Sequence, residues 1–255
     1  MKISSWTIRG DQIAVGAALL LVTGLCWLWI VPMARDMYGP MTGPSAWMMA
    51  GTWDRRYTLL LWAMWGVMMA GMMLPSASPM LLLYAGMARR GSGFGAAQAP
   101  VWAMAAGYTL VWLGFSAGAT LLQRGLGALL LLTPMMEPAT PWAGGVLLLL
   151  AGVYQLTPLK AVCLQQCRSP LSFIMQRWRP GAPGAFLMGV EHGRYCLGCC
   201  WALMLLLFAG GVMNLWVIGA LTIFVLIEKL APFGAASGRL AGVALIGLGL
   251  WMCVP

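Results

Sequence analysis

The chain has 255 residues, of which 61% are hydrophobic and only 8% are charged. A soluble domain carries charge on about a quarter of its residues, so the long apolar runs here predict an all-α polytopic membrane protein formed by a single integral-membrane domain, 1–255. The formal net charge of +9 does not indicate a nucleic-acid partner. The basic residues lie in short loops between apolar runs, as signals of membrane orientation do.

Seven apolar runs predict transmembrane helices, within a range of six to eight. In chain order they cover residues 12–32, 59–85, 99–122, 142–160, 195–213, 214–231 and 235–254. The first run is long enough to be a retained helix rather than a cleaved signal peptide. Two shorter apolar segments, 126–132 and 182–190, cannot cross a bilayer alone. We expect them to extend neighbouring helices or to re-enter the membrane where protein covers them.

The positions of Lys and Arg predict the orientation. The outer segments hold four of them, Arg35, Arg55, Arg56 and Arg124. The inner segments hold the other eleven, Lys2, Arg9, Arg89, Arg90, Lys160, Arg168, Arg177, Arg179, Arg194, Lys229 and Arg239. This bias predicts a multi-pass protein of the bacterial cytoplasmic (inner) membrane with a cytoplasmic N-terminus. The cysteine-bearing segment 160–195 would then be cytoplasmic, where thiols stay reduced.

Five of the seven cysteines fall close together in LKAVCLQQC and in HGRYCLGCC, which also contains the only histidine. The first pair is four residues apart, so a helix places both thiols on one face. The second group occupies one helical turn. Two helix ends could therefore present soft ligands to one point, for Cu(I) above all, with zinc or an iron–sulfur cluster as alternatives. The candidate ligands are Cys163, Cys167, His192, Cys196, Cys199 and Cys200.

Other interpretations of these residues stay open. Free cysteines are common as small buried residues of apolar helices, and Cys26 and Cys253 are interpreted in that way. The C-x-x-C pair Cys196 and Cys199 is also typical of dithiol redox chemistry.

Methionines form a second constellation, in LWAMWGVMMAGMMLPSASPM and in the predicted outer loops. Their thioether sulfur is a soft and neutral ligand, which suits Cu(I) within a membrane. Pro75 should free backbone carbonyls and kink the second helix near the candidate ligands. A methionine stripe is also a common core filler. The candidate ligands on the helix are Met68, Met69, Met72 and Met73. The loop methionines, which are hard to explain as packing, are Met33, Met37, Met41, Met48, Met49, Met135 and Met136.

Three sets of polar residues complete the pattern. Glu228 and Lys229 close a predicted helix, where we expect them to anchor it at the inner interface. Glu191 either pairs with a neighbouring cation or orients His192. The segment 154–157 predicts a polar break within the fourth helix.

At these residues the chain resembles a bacterial group of predicted metal-binding integral membrane proteins, the domain-of-unknown-function 2182 family. The matching segments are WGVMMAGMMLPSASPM, YQLTPLKAVCLQQCRSP, HGRYCLGCCWALM, GVMNLW and Glu228-Lys229. They cover the membrane body from about residue 60 to 232. The resemblance implies a helical membrane protein with a metal site, and no mechanism.

The first functional hypothesis is a protein that transports Cu(I) or delivers it to a membrane or metallochaperone partner, rather than an enzyme. Methionines would collect the ion and the inner thiols would receive it. The second is a membrane thiol-redox protein using Cys196 and Cys199. The third is a non-catalytic subunit of a larger membrane complex. Membrane lipid and the metal ion are the partners expected in the first case.

Overall fold

A computed structural model describes residues 10–39, 41–43, 45–49, 53–92, 98–133 and 135–254. Lys2 and Arg9 lie outside these residues, as do the side chains of Arg89, Arg90, Met48 and Met49. The described chain is helical and contains no β-strand. Its α-helices are α1 (Gly10–Met37), α2 (Arg55–Ser92), α3 (Gln98–Ala128), α4 (Pro141–Gln155), α5 (Pro158–Arg168), α6 (Pro170–Arg177), α7 (Gly181–Gly210), α8 (Leu215–Leu230) and α9 (Gly234–Cys253). A short 3₁₀ helix, Ala46–Met49, lies between α1 and α2.

Five of these helices, α1, α2, α3, α7 and α9, are long and apolar enough to cross a membrane. The bent pair α4 and α5 would be a sixth span. Helix α8 has 16 residues, which gives about 24 Å against a hydrocarbon core of about 30 Å. The described residues therefore support five or six apolar spans, and the predicted count of seven depended on α8 and on a straight fourth helix.

The predicted fourth helix, 142–160, is broken. Helix α4 ends at Gln155, and α5 starts again at Pro158 with the axis turned by 66°. Proline at the first helical position needs no N–H partner, and the Thr157 side chain accepts a hydrogen bond from the Lys160 backbone N–H. The expected polar break at 154–157 is thus present, and it redirects the chain toward α7.

The predicted helix 195–213 starts too late. Helix α7 begins at Gly181, takes in the short segment 182–190 and ends at Gly210. Gly211 then adopts a φ of 89°, which glycine tolerates. The Asn214 side chain caps α8 by accepting hydrogen bonds from two backbone N–H groups, as the predicted turn between these helices requires. The segment 126–132 also starts as a continuation, since α3 runs to Ala128.

Helices α3 and α7 cross at close range because of glycine. A Cβ at Gly107 would overlap the Phe186 carbonyl oxygen, and one at Gly189 would overlap the Met104 carbonyl oxygen. Small residues at such crossings allow backbones in membranes to approach closely. The crossing brings Tyr108 of α3 against the middle of α7.

Helix α2 continues through Pro75 and Pro79. A proline leaves the carbonyl four residues earlier without its helical donor. Trp27 Nε1 donates to the freed Gly71 carbonyl at 3.2 Å, and Ser78 Oγ donates to the freed Pro75 carbonyl at 2.8 Å. The two prolines therefore free backbone carbonyls as expected, and these carbonyls accept hydrogen bonds from side chains.

Two of the predicted loop methionines are not in a loop. Helix α1 extends to Met37, so Met33 and Met37 lie on its last turns and are 2% and 0% exposed. Met136 is also buried, at 3% exposure. The expectation that these methionines escape packing is wrong for all three, because α1 is longer than its apolar run and the loop before α4 folds onto the core.

Candidate metal centre

The three cysteines of α7 lie in the middle of a helix and not at its end. Cys196, Cys199 and Cys200 are buried, each with at most 1% of its surface exposed. They follow the start of α7 at Gly181 by 15 to 19 residues, or roughly 22–28 Å along the helix. The expectation that two helix ends present the thiols is wrong for α7, because 182–190 belongs to the same helix as the cysteines.

Helix α5 brings the second pair of thiols to this part of α7. Cys167 Sγ lies 3.9 Å from Cys199 Sγ. Cys163 lies one turn earlier against Gly198, where an added Cβ would approach its sulfur to 2.7 Å. The Tyr154 hydroxyl also donates to the Gly198 carbonyl. Both thiols of the predicted pair therefore face the same turn of α7.

Helix α2 contributes one thioether. Cys200 Sγ lies 3.9 Å from Met73 Sδ. The sulfur atoms of Met73, Cys200, Cys196, Cys199 and Cys167 thus come from three helices, and we call these five residues the sulfur cluster. Met68, Met69 and Met72 are at most 1% exposed, so their side chains lie in the core around α2, and their role as ligands stays a prediction.

Three polar side chains that the sequence analysis did not assign to the site lie near Cys196. Lys229 Nζ donates to Cys196 Sγ and to Ser76 Oγ, each at 3.0 Å. The Tyr108 hydroxyl lies 3.0 Å from Cys196 Sγ and donates to the Met73 carbonyl at 3.2 Å. A buried ammonium at this distance compensates the charge of a Cys196 thiolate.

The expected role of Lys229 as an interfacial anchor is wrong. Only 5% of Lys229 and 0% of Glu228 are exposed. The sequence carried one signal of this arrangement, since two charges end an otherwise apolar helix. A snorkelling lysine produces the same pattern, so only the packing of α8 against α2 and α7 distinguishes the two cases.

His192 lies one turn before Cys196 and is 4% exposed. Its ring packs against Phe173 at 5.2 Å and Tyr108 at 5.9 Å between centroids. Among the described residues its Nδ1 has no hydrogen-bond partner. Glu191 does not orient it, because that carboxylate forms ion pairs with Arg177 and Arg179.

A separate set of buried polar groups joins α4, α5 and α8. Lys160 Nζ lies 2.7 Å from Glu228 Oε1 and donates to Glu228 Oε2 at 2.8 Å and to Gln155 Oε1. Gln155 Nε2 donates to Glu228 Oε1 at 3.2 Å. We call Gln155, Lys160 and Glu228 the ionic cluster. Its members are at most 5% exposed, and no carboxylate of this cluster faces the sulfur atoms.

Within the described residues no group of three or more His, Cys, Asp or Glu side chains is arranged to hold a metal ion. The arrangement is instead a series of contacts between sulfur atoms, one of which belongs to Met73. Such a set lacks the four tetrahedral protein ligands of a structural zinc site. Thiolate and thioether ligands without carboxylates favour Cu(I).

Comparison with models of protein families assigns the chain to a family. Residues 62–252 match the model of the family PpoB2, described as copper chaperone, so the chain belongs to this family. The description names copper and does not name the domain-of-unknown-function 2182 group. Neither the curated proteins nor the solved structures contain a match.

Proposed function

We propose that the protein binds Cu(I) as cargo at the sulfur cluster and transports it or delivers it to a partner. The observation that carries the proposal is the pair of sulfur contacts, Cys167 to Cys199 and Cys200 to Met73, each of 3.9 Å across two helices. Membership in a copper chaperone family supports the choice of metal.

The distances suit a bridging ion. Two metal–sulfur bonds of about 2.3 Å each span the 3.9 Å between Cys167 and Cys199 sulfurs with a bent geometry. The same holds for Cys200 and Met73. A Cu(I) ion could therefore pass between neighbouring sulfur pairs without a large movement of the helices.

The charge of the site also suits a monovalent ion. Lys229 supplies the one ammonium that contacts Cys196 within the described residues. When Cu(I) binds, the ion contributes its own positive charge next to the thiolate. A second cysteine thiol of the cluster then loses its proton, so that two thiolates balance the ion and the ammonium, as low-dielectric surroundings require.

We further propose that the protein lies in the bacterial cytoplasmic membrane with its N-terminus inside. Before α8, nine basic residues lie in the segments assigned to the inside and four in those assigned to the outside, and this bias supports the orientation. Helices α5 and α6 would then lie on the cytoplasmic side, so that Cu(I) leaves through Cys163 and Cys167 to a cytoplasmic acceptor. A membrane-impermeant thiol reagent added to intact cells should leave Cys163 unlabelled, and rapid labelling would reverse the orientation.

The test of copper binding uses the full chain purified in detergent. Copper, zinc and iron are measured in the wild type and in the double variant Cys167→Ser/Cys199→Ser, after loading under reducing conditions. We expect bound copper in the wild type and its loss in the double variant. The matched control is Cys26→Ser/Cys253→Ser, which should retain copper. Zinc or iron in place of copper, or equal copper in all three proteins, would contradict the proposal.

The methionines of α2 need a separate test. Replacing Met68 and Met72 by Leu keeps the side-chain volume nearly constant. If these thioethers conduct the ion, copper uptake into proteoliposomes should fall while copper bound at the cysteines is retained. Unchanged uptake would leave both residues as core filler.

A second candidate function is thiol–disulfide chemistry, favoured by the contact of Lys229 with Cys196. An adjacent ammonium activates a thiolate as a nucleophile. All seven cysteines are free thiols in the structure, and the sulfurs of Cys167 and Cys199 lie 3.9 Å apart on neighbouring helices. Peptide mapping after mild oxidation distinguishes redox chemistry from copper handling. A reversible Cys167–Cys199 disulfide in protein purified without bound copper would favour redox chemistry.

A further inference from the structure

An open cavity of about 740 Å³ lies beside the ionic cluster, on the side of α5 that faces away from the sulfur atoms. Its walls come from the end of α4, one face of α5, the end of α8 and the first turns of α9. The proposed copper site does not use this space, because Leu164 and Ala161 line it while Cys163 and Cys167 face α7.

The charges around the cavity are unequal. Its lining contains three basic side chains, Lys160, Arg168 and Arg239, and one carboxylate, that of Glu228. Lys160 and Gln155 already occupy both oxygens of this carboxylate. The ionic cluster is therefore neutral, and the two arginines carry the excess charge of the cavity.

Neither arginine has a carboxylate partner among the described residues. Arg168 donates to two backbone carbonyls, that of Glu228 at 2.6 Å and that of Pro232 at 3.1 Å. Arg239 is exposed on the second turn of α9. The first turns of α5 and α9 also border the cavity, and helix N-termini add positive potential. Together these groups make the cavity favourable for an anion.

Apolar surface adjoins this basic cavity. Leu156 lines it and is 45% exposed. Leu159 and Leu240 are each more than 60% exposed and neighbour lining residues in sequence. Phe233, two residues before Ala235 of the lining, is also more than 60% exposed. An aqueous binding site would not need this surface, whereas a lipid offers both an anionic phosphate and acyl chains. Basic pockets between membrane helices on the cytoplasmic side bind anionic headgroups in this way.

We propose that this cavity binds the phosphate group of an anionic phospholipid, held by Arg239 and Arg168. Guanidinium groups match phosphate oxygens through paired N–H donors. The buried ionic cluster forms the neutral floor of the site. A soluble organic phosphate shares this chemistry, and the experiment separates the two sources.

The test uses the full-length protein in detergent, and native mass spectrometry measures lipid binding. The probes are phosphatidylglycerol, phosphatidylcholine and, as a soluble phosphate, glycerol 3-phosphate. We expect the wild type to bind phosphatidylglycerol in preference to phosphatidylcholine. Arg239→Gln should weaken the binding of phosphatidylglycerol about fivefold, the contribution of one basic side chain near a headgroup. The matched control is Arg194→Gln, an exposed arginine of α7 outside the cavity, which should bind as the wild type does.

A second variant tests whether binding needs the open volume of the cavity as well as its positive charge. Ala235 lines the cavity and is exposed, so Ala235→Trp fills the cavity and keeps all three cations. It should also weaken the binding of phosphatidylglycerol. If glycerol 3-phosphate binds equally well and depends on Arg239, the site belongs to a soluble phosphate. Equal binding of both lipids, or equal losses in Arg239→Gln and Arg194→Gln, would overturn the proposal. Copper content is measured on the same samples, so failure here is distinguishable from failure of the copper site.

Discussion

The last turn of α8 contributes to two clusters of opposite chemistry. Lys229 donates to Cys196 of the sulfur cluster, whereas its neighbour Glu228 belongs to the ionic cluster. The sulfur cluster consists of neutral or soft groups enclosed by α2, α5 and α7. The ionic cluster consists of hard charges that border an open cavity. The end of one helix therefore separates two clusters of opposite chemistry, beside which we propose a site for Cu(I) and a site for a phosphate.

The two clusters should differ most in their response to losing a charge. Glu228→Leu leaves the Lys160 ammonium buried without its carboxylate, and such a change costs about 3–5 kcal/mol. The free energy of unfolding in detergent micelles, from denaturant titration, measures the loss. The double variant Lys160→Met/Glu228→Leu should recover most of it, because a buried ion pair is often replaceable by apolar side chains. A single variant as stable as the wild type would mean that the pair is solvated.

Lys229→Met tests the sulfur side of the same turn. The variant loses the donor to Cys196 and Ser76, and we expect a cost of about 1.5–3 kcal/mol for a hydrogen bond from a charged group. The loss should shrink in copper-loaded protein, because bound Cu(I) compensates the thiolate in place of the ammonium. Glu228→Leu should show no such dependence on copper. Equal copper dependence of both variants would erase the distinction between the clusters.

Glycine-to-alanine substitutions at Gly238, beside the ionic cluster, and at Gly198, beside the sulfur cluster, compare how rigid the two clusters are. A Cβ at Gly238 would overlap Glu228 Oε1, which Lys160 and Gln155 hold in place, so Gly238→Ala should cost about 1–3 kcal/mol. A Cβ at Gly198 would lie closest to the Cys163 sulfur, which can rotate, and at an ordinary contact distance of 3.4 Å from the Cys163 Cβ, so Gly198→Ala should cost less. Gly219→Ala is the control, since no atom lies within 4 Å of its Cβ. Thermal unfolding ranks the three variants, and a larger loss at Gly198 would reverse the comparison.

The smallest effect on stability should come from Met73→Leu, under about 1.5 kcal/mol because the volume is retained. Its effect on copper should be larger, since Cys200 loses its thioether neighbour. Met64→Leu provides the control, because Met64 is equally buried on the same helix but nine residues away. Copper retained during dialysis against a soft chelator is the measurement. Identical retention in both variants would remove Met73 from the site.

Much of the helical architecture follows from local patterns. The apolar runs predicted helices at all seven places, and Pro158 with Thr157 predicted the break before α5. The turn after Gly210 also follows from Gly211 and Asn214. Errors arose where an apolar run ended before the helix did. The segment Arg179 to Arg194 contains two arginines and several glycines, so the first half of α7 has the composition of a loop.

The candidate site was predicted in part. The spacing of Cys163 and Cys167 placed both on one face of a helix, and that face meets α7 near Cys199. Tyr108 was not predicted, because nothing in its own segment distinguishes it from an interfacial tyrosine. Its position depends on the close crossing of α3 and α7 at Gly107 and Gly189. The metal itself and its ligands remain predictions that the copper measurements address.

By itself the sequence determined which segments are helical, where soft ligands accumulate and where the chain must break. These properties depend on side-chain chemistry within a few turns, so spacing along the chain reveals them. Only the tertiary structure decided that Lys229 contacts a thiol while Glu228 contacts a lysine. Adjacent residues on a helix point about 100° apart, and the neighbouring helices determine what each one meets.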